Sequence, residues 1–306
     1  MTGNHNVTPT TQNRAADIEM EPFTPHRHEQ CRRFQIVSAS GLSYEIFVSI
    51  PRQAPPPEGF PVLYLLDANA DFTLTDQVLE RLSRRPEATG VAPAILVGIG
   101  YPETEGYNQP RRHLDLTAGP THDPFYAKTT LNFGGQSAFI AFLQDTLKPL
   151  IRSRCPADSK RETILGHSLG GYFVATLATA KPDLFSGYIA ISPSIWWDRD
   201  GLLASLAVPS PSRSQTIRLY LAAGSQEGET VAVEQNAGTQ ASAHDALRQR
   251  RRMIGNVRDL AERCKAVCRE AVDLRLDIIA DEDHSSIFVA CLPKALRFTL
   301  PFSSAD

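Results

Sequence analysis

A serine sits in Gly166-His167-Ser168-Leu169-Gly170, followed at once by Gly171. The apolar run 163–165 leads into this stretch, and a helix-like run, 172–180, leaves it. Strand, tight turn and helix is the setting in which G-x-S-x-G forms a nucleophile elbow. The serine at such a turn takes a strained backbone, so small residues must flank it; Gly166 and Gly170 leave that room, and Gly171 lets the helix approach the strand. Ser168 then stands at a helix N-terminus, where free N–H groups favour developing negative charge.

A serine hydroxyl is a poor nucleophile until a base takes its proton. His284 follows the last strand-like run, which makes it the candidate base. A carboxylate must then hold the imidazole in one tautomer. Glu227 closes an earlier strand-like run and gives the chain order serine, acid, histidine of α/β-hydrolases. Glu229, Asp281 and Asp283 are rivals for the acid. An oxyanion hole needs two preorganised N–H donors. Leu169, after the nucleophile, is one candidate; the loop after the strand 62–66, at Asn69, is the other.

The elements that must position these groups alternate. Residues 34–38 and 44–50 are β-rich around Ser40-Gly41 and predict an antiparallel hairpin. Continuous apolar runs at 62–66 and 94–99, with shorter runs at 188–191, 217–222 and 274–279, predict strands of a buried sheet. Helices are expected over 71–82, with Asp71 as cap, and from Gln136 on the stripe Phe139, Leu143, Leu147 and Ile151. The stripe Met253, Val257, Leu260, Cys264, Val267 and Ala271 predicts a long helix, and 290–298 a last one broken at Pro293. Residues 100–134 are long and irregular, as functional loops often are. The alternation predicts an α/β fold, with a mostly parallel doubly wound sheet, helices on both faces and the hairpin at its start. Chemistry in such sheets collects beyond the carboxyl ends of the strands, where Asn69, Ser168, Trp196, Glu227 and His284 all fall.

Composition narrows the classes. The 306 residues carry a net charge of -3 and 42% hydrophobic residues, so bulk charge offers no case for nucleic acid or an anionic membrane. No apolar run approaches the roughly 20 residues that span a bilayer. Residues 1–28 read as a loose polar tail without an apolar leader, which predicts a cytoplasmic protein, and 29–306 as one catalytic domain. The five cysteines follow no disulfide or zinc spacing; Cys264 and Cys268, one turn apart, read as packing residues. No metal or organic cofactor is expected.

Four stretches occur in order: Tyr64-Leu65-Leu66-Asp67-Ala68-Asn69, Gly166-His167-Ser168-Leu169-Gly170-Gly171, Ser192-Pro193-Ser194-Ile195-Trp196-Trp197 and Asp283-His284-Ser285-Ser286. Together they resemble the putative-esterase family of α/β-hydrolases over about residues 34–298. Within it the likeness is greatest to the siderophore esterases, of the enterobactin, salmochelin, bacillibactin or fusarinine type. The resemblance implies the α/β-hydrolase fold and hydrolysis of ester-linked catecholate or hydroxamate iron chelators, with iron arriving inside the substrate. It implies a substrate-holding role for Arg112, in Arg111-Arg112-His113-Leu114-Asp115-Leu116-Thr117. Some similar enzymes work with a serine–histidine dyad, the alternative to Glu227. The family usually has glycine where this chain has Ala68.

Trp196 and Trp197 fall at a strand end and read as a pocket wall for planar ligand groups. Arg248, Arg250, Arg251 and Arg252 read as a solvated helix face. Three functions follow: a siderophore esterase, a carboxylesterase or acyltransferase of the same fold, and a non-catalytic binding protein on a hydrolase scaffold. The intact Ser168–His284 pair argues against the last.

Overall fold

A computed structural model describes residues 31–102, 106–210, 216–228 and 243–303, without the side chains of 243–245. The tail 1–28 and Glu229 lie outside these residues. The strands are β1 (Cys31–Val37), β2 (Ser43–Ser49), β3 (Phe60–Leu65), β4 (Ile95–Gly100), β5 (Ala157–His167), β6 (Gly187–Ile191), β7 (Ile217–Gly224) and β8 (Val272–Ile279). They form one sheet in the order β1-β2-β4-β3-β5-β6-β7-β8. β1 pairs antiparallel with β2, and β2 antiparallel with β4. Every other pairing is parallel. The expected hairpin and parallel sheet are both present.

The helices are α1 (Ala68–Ser83), α2 (Pro86–Thr89), α3 (Gln109–Leu116), α4 (Gln136–Ala141), α5 (Lys148–Arg154), α6 (Leu169–Ala180), α7 (Arg199–Ala204), α8 (Ala243–Arg251), α9 (Met253–Cys268) and α10 (Ile287–Thr299). The central strands are buried on both faces because their side chains alternate between two cores. Val62 and Tyr64 of β3 pack in one core with Phe139, Phe173 and Val257 from α4, α6 and α9. Leu63 and Leu65 pack in the other with Phe72 of α1 and Leu292 of α10.

Three expectations about helices change. Asp71 does not cap α1. The helix begins three residues earlier, straight after β3, with Asp67 at the cap position in a left-handed conformation (φ 53°) and making no side-chain cap bond. α10 runs through Pro293 unbroken. The proline N lacks the hydrogen that would bond the Val289 carbonyl, and Val289 is exposed, so water can take that acceptor. α9 stops at Cys268 because Arg269 adopts φ 48°; a 3-10 turn carries the stripe to Ala271. Cys264 and Cys268 are both buried, as packing residues are.

The stretch 100–134 is less irregular than expected. It contains α3, started by the Asn108 side chain accepting from Arg111 N, with Pro110 in the first turn. Both are helix-start signals that the surrounding Gly and Tyr residues masked. A 3-10 turn, Pro124–Tyr126, follows. These insertions lie over the carboxyl ends of the strands.

Candidate active site

β5 delivers Ser168 to a turn with φ 59° and ψ -117°, a conformation that costs an L-residue energy and is held from several sides. Its N–H donates to Ile191 O (3.0 Å), and its carbonyl accepts from Tyr172 N (2.9 Å) and Ser194 N (3.0 Å). The turn closes only because two neighbours lack a Cβ. One on Gly166 would stand 2.4 Å from the Gly170 backbone, and one on Gly171 would stand 2.7 Å from Ile191 O. Gly166 and Gly171 therefore permit the elbow by close backbone approach, whereas a Cβ on Gly170, also expected to leave room, would meet the Asp67 side chain at 3.2 Å.

His284 occupies the loop between β8 and α10. Its Nε2 lies 2.9 Å from Ser168 Oγ, and its Nδ1 lies 2.7 Å from Glu227 Oε2. Glu227 ends the 3-10 turn after β7 and is buried. Its other oxygen, Oε1, accepts from Ser192 Oγ (2.5 Å) and Gly224 N (2.8 Å). Burial alone would raise its pKa, but the bonds from His284, Ser192 and Gly224 outweigh it and hold the carboxyl below its ordinary range. The rivals stand elsewhere. Asp283 uses Oδ1 to accept from the backbone of Ser285 and Ser286 at the start of α10, and Asp281 holds a turn at φ 62°.

A hydroxyl, an imidazole and an ionised carboxylate in this order can remove the serine proton as the oxygen attacks a carbonyl carbon. Leu169 opens α6, so its N–H belongs to the first-turn donors that have no acceptor within the helix.

Two residues near this row were not singled out from sequence. Ser192 (φ 41°) supports Glu227; it heads the stretch Ser192–Trp197 that carries the family resemblance, but no role was read for it. His167, inside the elbow motif, uses Nε2 to donate to the His284 carbonyl (2.8 Å), and the two rings lie 4.8 Å apart. Burial first, and then repulsion by His284, push the His167 pKa down to about 3, so the ring stays neutral at ordinary pH.

The row opens into a cleft of about 450 Å³, within the range of small-molecule sites. Ser168, Leu169, Arg112, Trp196, Trp197, Glu227 and His284 all line it. Asn69 is not among its lining residues. Its side chain is clamped to β4's end, where Oδ1 accepts from Tyr101 N (2.7 Å) and Nδ2 donates to Tyr101 O (3.0 Å).

Arg112, given a substrate-holding role by the resemblance, lines the cleft and also carries an ion pair. It is buried on α3, and its Nε and Nη2 donate to the two oxygens of Asp67 at 3.1 and 2.9 Å. Burial acts to lower its pKa, but Asp67 overrides this and raises it. The two residues are 45 apart in sequence, so no local pattern announces the pair. The tryptophans also divide. Trp197 is buried, donates from Nε1 to Gly119 O (3.0 Å) and packs on His113 and Phe133. Trp196 is half-buried and stacks beside Tyr126.

The basic run is only partly solvated. Arg250 and Arg252 are exposed, but Arg248 and Arg251 line the cleft. Arg251 places Cζ 3.9 Å from the Trp196 ring centroid and donates from Nε to Asp123 Oδ2 (3.1 Å).

An elbow serine at the carboxyl end of a mostly parallel eight-stranded sheet defines an α/β-hydrolase fold. The family model described as "Putative esterase" matches residues 38–258. The chain belongs to this family, and it is a carboxylic-ester hydrolase. It is 36% identical over 265 residues to the ferri-bacillibactin esterase of Bacillus subtilis, covering 84% of this chain and 85% of that one. It is 29% identical over 296 residues to the siderophore enterobactin esterase of Emericella nidulans, covering 90% and 96%. The solved BES protein from Bacillus cereus superposes with a TM-score of 0.74 at 26% identity, over 92% of this chain and 99% of that one. No described helix is long and apolar enough to cross a membrane.

Proposed function

We propose that this chain is a serine esterase that hydrolyses the ester bonds of a siderophore and so releases its iron inside the cell. The observation that carries the chemistry is the continuous row Ser168–His284–Glu227 with both bonds in the ordinary range. The observation that carries the substrate class is likeness to esterases of bacillibactin and enterobactin over most of the chain.

In this reading Ser168 Oγ attacks the ester carbonyl carbon while its proton passes to His284 Nε2. Glu227 stabilises the resulting imidazolium through Nδ1. The N–H of Leu169 and a donor from the start of α1, residues 67–69, with Asn69 the residue read from sequence, hold the oxyanion. His284 returns the proton to the departing alkoxide oxygen. Water, deprotonated by the same ring, then cleaves the acyl-serine ester and frees the acid. Trp196 and Trp197 wall the bound acyl group. The cytoplasmic location belongs to the same proposal, and cell fractionation with immunoblotting tests it.

The deciding experiment is mass spectrometry of products from iron-loaded catecholate trilactones and ester-linked trihydroxamates. Stepwise gain of water by at least one of them supports the proposal. Turnover of simple p-nitrophenyl esters with none of the chelates would return the chain to a general carboxylesterase. Fluorophosphonate labelling of Ser168, located by peptide mapping, tests the nucleophile directly.

A further inference from the structure

The cleft holds more charge than the reaction needs, and most of that charge is already matched. Glu227 faces His284, Asp283 holds the start of α10, and Arg112 is neutralised by Asp67. What remains comes from α8. Arg248 lines the cleft, and its side chain has no hydrogen-bond or ion-pair partner among the described residues. Arg251 lies three residues on, hence on the same helix face. Among the described residues only its Nε has an acceptor, the buried Asp123 carboxylate. That bond and the Trp196 ring beneath fix the guanidinium, leaving its Nη donors beside the cleft. Asp123 is itself held, because its Oδ1 accepts from Phe125 N (2.9 Å).

The wall is thus a fixed guanidinium on an aromatic face, with a second guanidinium, unmatched among the described residues, one helical turn away. Guanidinium groups present several donors in a plane and suit oxygen-rich anions. An aromatic face beside them suits a flat ring. Iron chelates differ sharply here. Three doubly ionised catecholates around ferric iron leave a triple negative charge, borne on aromatic rings. Three singly ionised hydroxamates around the same ion leave none.

We propose that Arg248, Arg251 and Trp196 form a subsite for the chelate end of the substrate, and that it selects the anionic ferric tris-catecholate over the neutral ferric trihydroxamate. The proposal rests on the siderophore-ester reading for its biological meaning, but the charge selection can be tested without turnover. The positive wall also provides a reason for the iron to be present during cleavage, because the metal gathers three catecholates into one compact anion.

The test uses quenching of intrinsic fluorescence, since the chain's two tryptophans both lie at the cleft. The probes are a ferric tris-catecholamide, which has no ester to cleave, and a neutral ferric trihydroxamate. The full chain should bind the first about tenfold or more tighter, and the ratio should shrink as salt rises. Arg248→Gln should weaken the catecholamide about fivefold or more and change the hydroxamate by less than about twofold. Arg251→Lys keeps the charge and loses the planar fork, and should fall between. Arg251→Gln leaves Asp123 without its partner, so Arg248→Gln carries the decision if that variant fails to fold. Equal affinity of the full chain for both chelates would overturn the proposal, as would equal losses on both in Arg248→Gln. Failure to hydrolyse any chelate ester would instead overturn the siderophore reading, while the quenching ratio still decides whether an anion subsite exists.

Discussion

The proposed catalytic row and the facing wall are built by opposite methods. Ser168, Glu227 and His284 stand on short turns directly after β5, β7 and β8, where the sheet sets their spacing and parallel pairing sets their order. Arg112, Tyr126 and Arg251 stand on helices and turns inserted between strands, and buried carboxylates hold the two arginines. The row is positioned by backbone and the wall by ion pairs. Substitutions in the row should therefore cost chemistry and little stability, whereas substitutions behind the wall should cost both.

The largest effect is expected at the row. Ser168→Ala should lower ester turnover by several orders of magnitude, about 10⁴-fold or more, with the thermal midpoint nearly unchanged. Near-full activity on the best substrate would break the nucleophile assignment. Glu227→Gln comes next, with a loss of about 10²–10⁴-fold, because an amide cannot stabilise the imidazolium as a carboxylate does. A loss of only a few-fold would show that Ser168 and His284 work as a dyad. Steady-state rates on a p-nitrophenyl ester measure both.

Arg112→Ala sharpens the comparison. A free substrate cation would cost activity only on large chelates. An arginine locked to Asp67 should cost activity on chelate ester and p-nitrophenyl acetate alike, because Asp67 occupies the cap position at the start of α1, where the proposed second oxyanion donor stands. Removing it also leaves a buried carboxylate unpaired, at a stability cost of about 3–5 kcal/mol. Selective loss on the chelate with unchanged unfolding would restore the direct substrate role.

The smallest effect concerns His167. Its folded pKa of about 3 lies below its ordinary value, so the unfolded chain binds the extra proton first as pH falls. Stability from this group is complete above about pH 6.5 and is lost on descent toward pH 3, at up to about 1.4 kcal/mol per pH unit. Denaturant unfolding of His167→Gln between pH 4 and 7 should show a flatter dependence. An unchanged slope would mean that other groups drive the acid loss.

Much of the row was legible because its signals are local. The elbow needs Gly166 and Gly171 within a few residues of Ser168, and the backbone contacts explain why. Strand ends are visible in apolar runs, which brought His284 and Glu227 into view. Ser192 and His167 were less legible, since each supports a partner 35 or 117 residues away. α3 was missed inside 100–134 although Asn108 and Pro110 mark its start.

By itself the sequence determined the α/β class, the strand order along the chain and the identity of the elbow serine, because each depends on spacing within a short window. Only the tertiary structure decided which carboxylate meets His284, since Glu227, Asp281 and Asp283 all sit at strand ends and differ in what surrounds them. It also decided the fate of the arginines. Arg112 is matched by Asp67 and Arg251 is held by Asp123, 128 residues away, while Arg248 stays unmatched among the described residues. A charge's role depends on its partner and its burial, and folding brings those from distant parts of the chain.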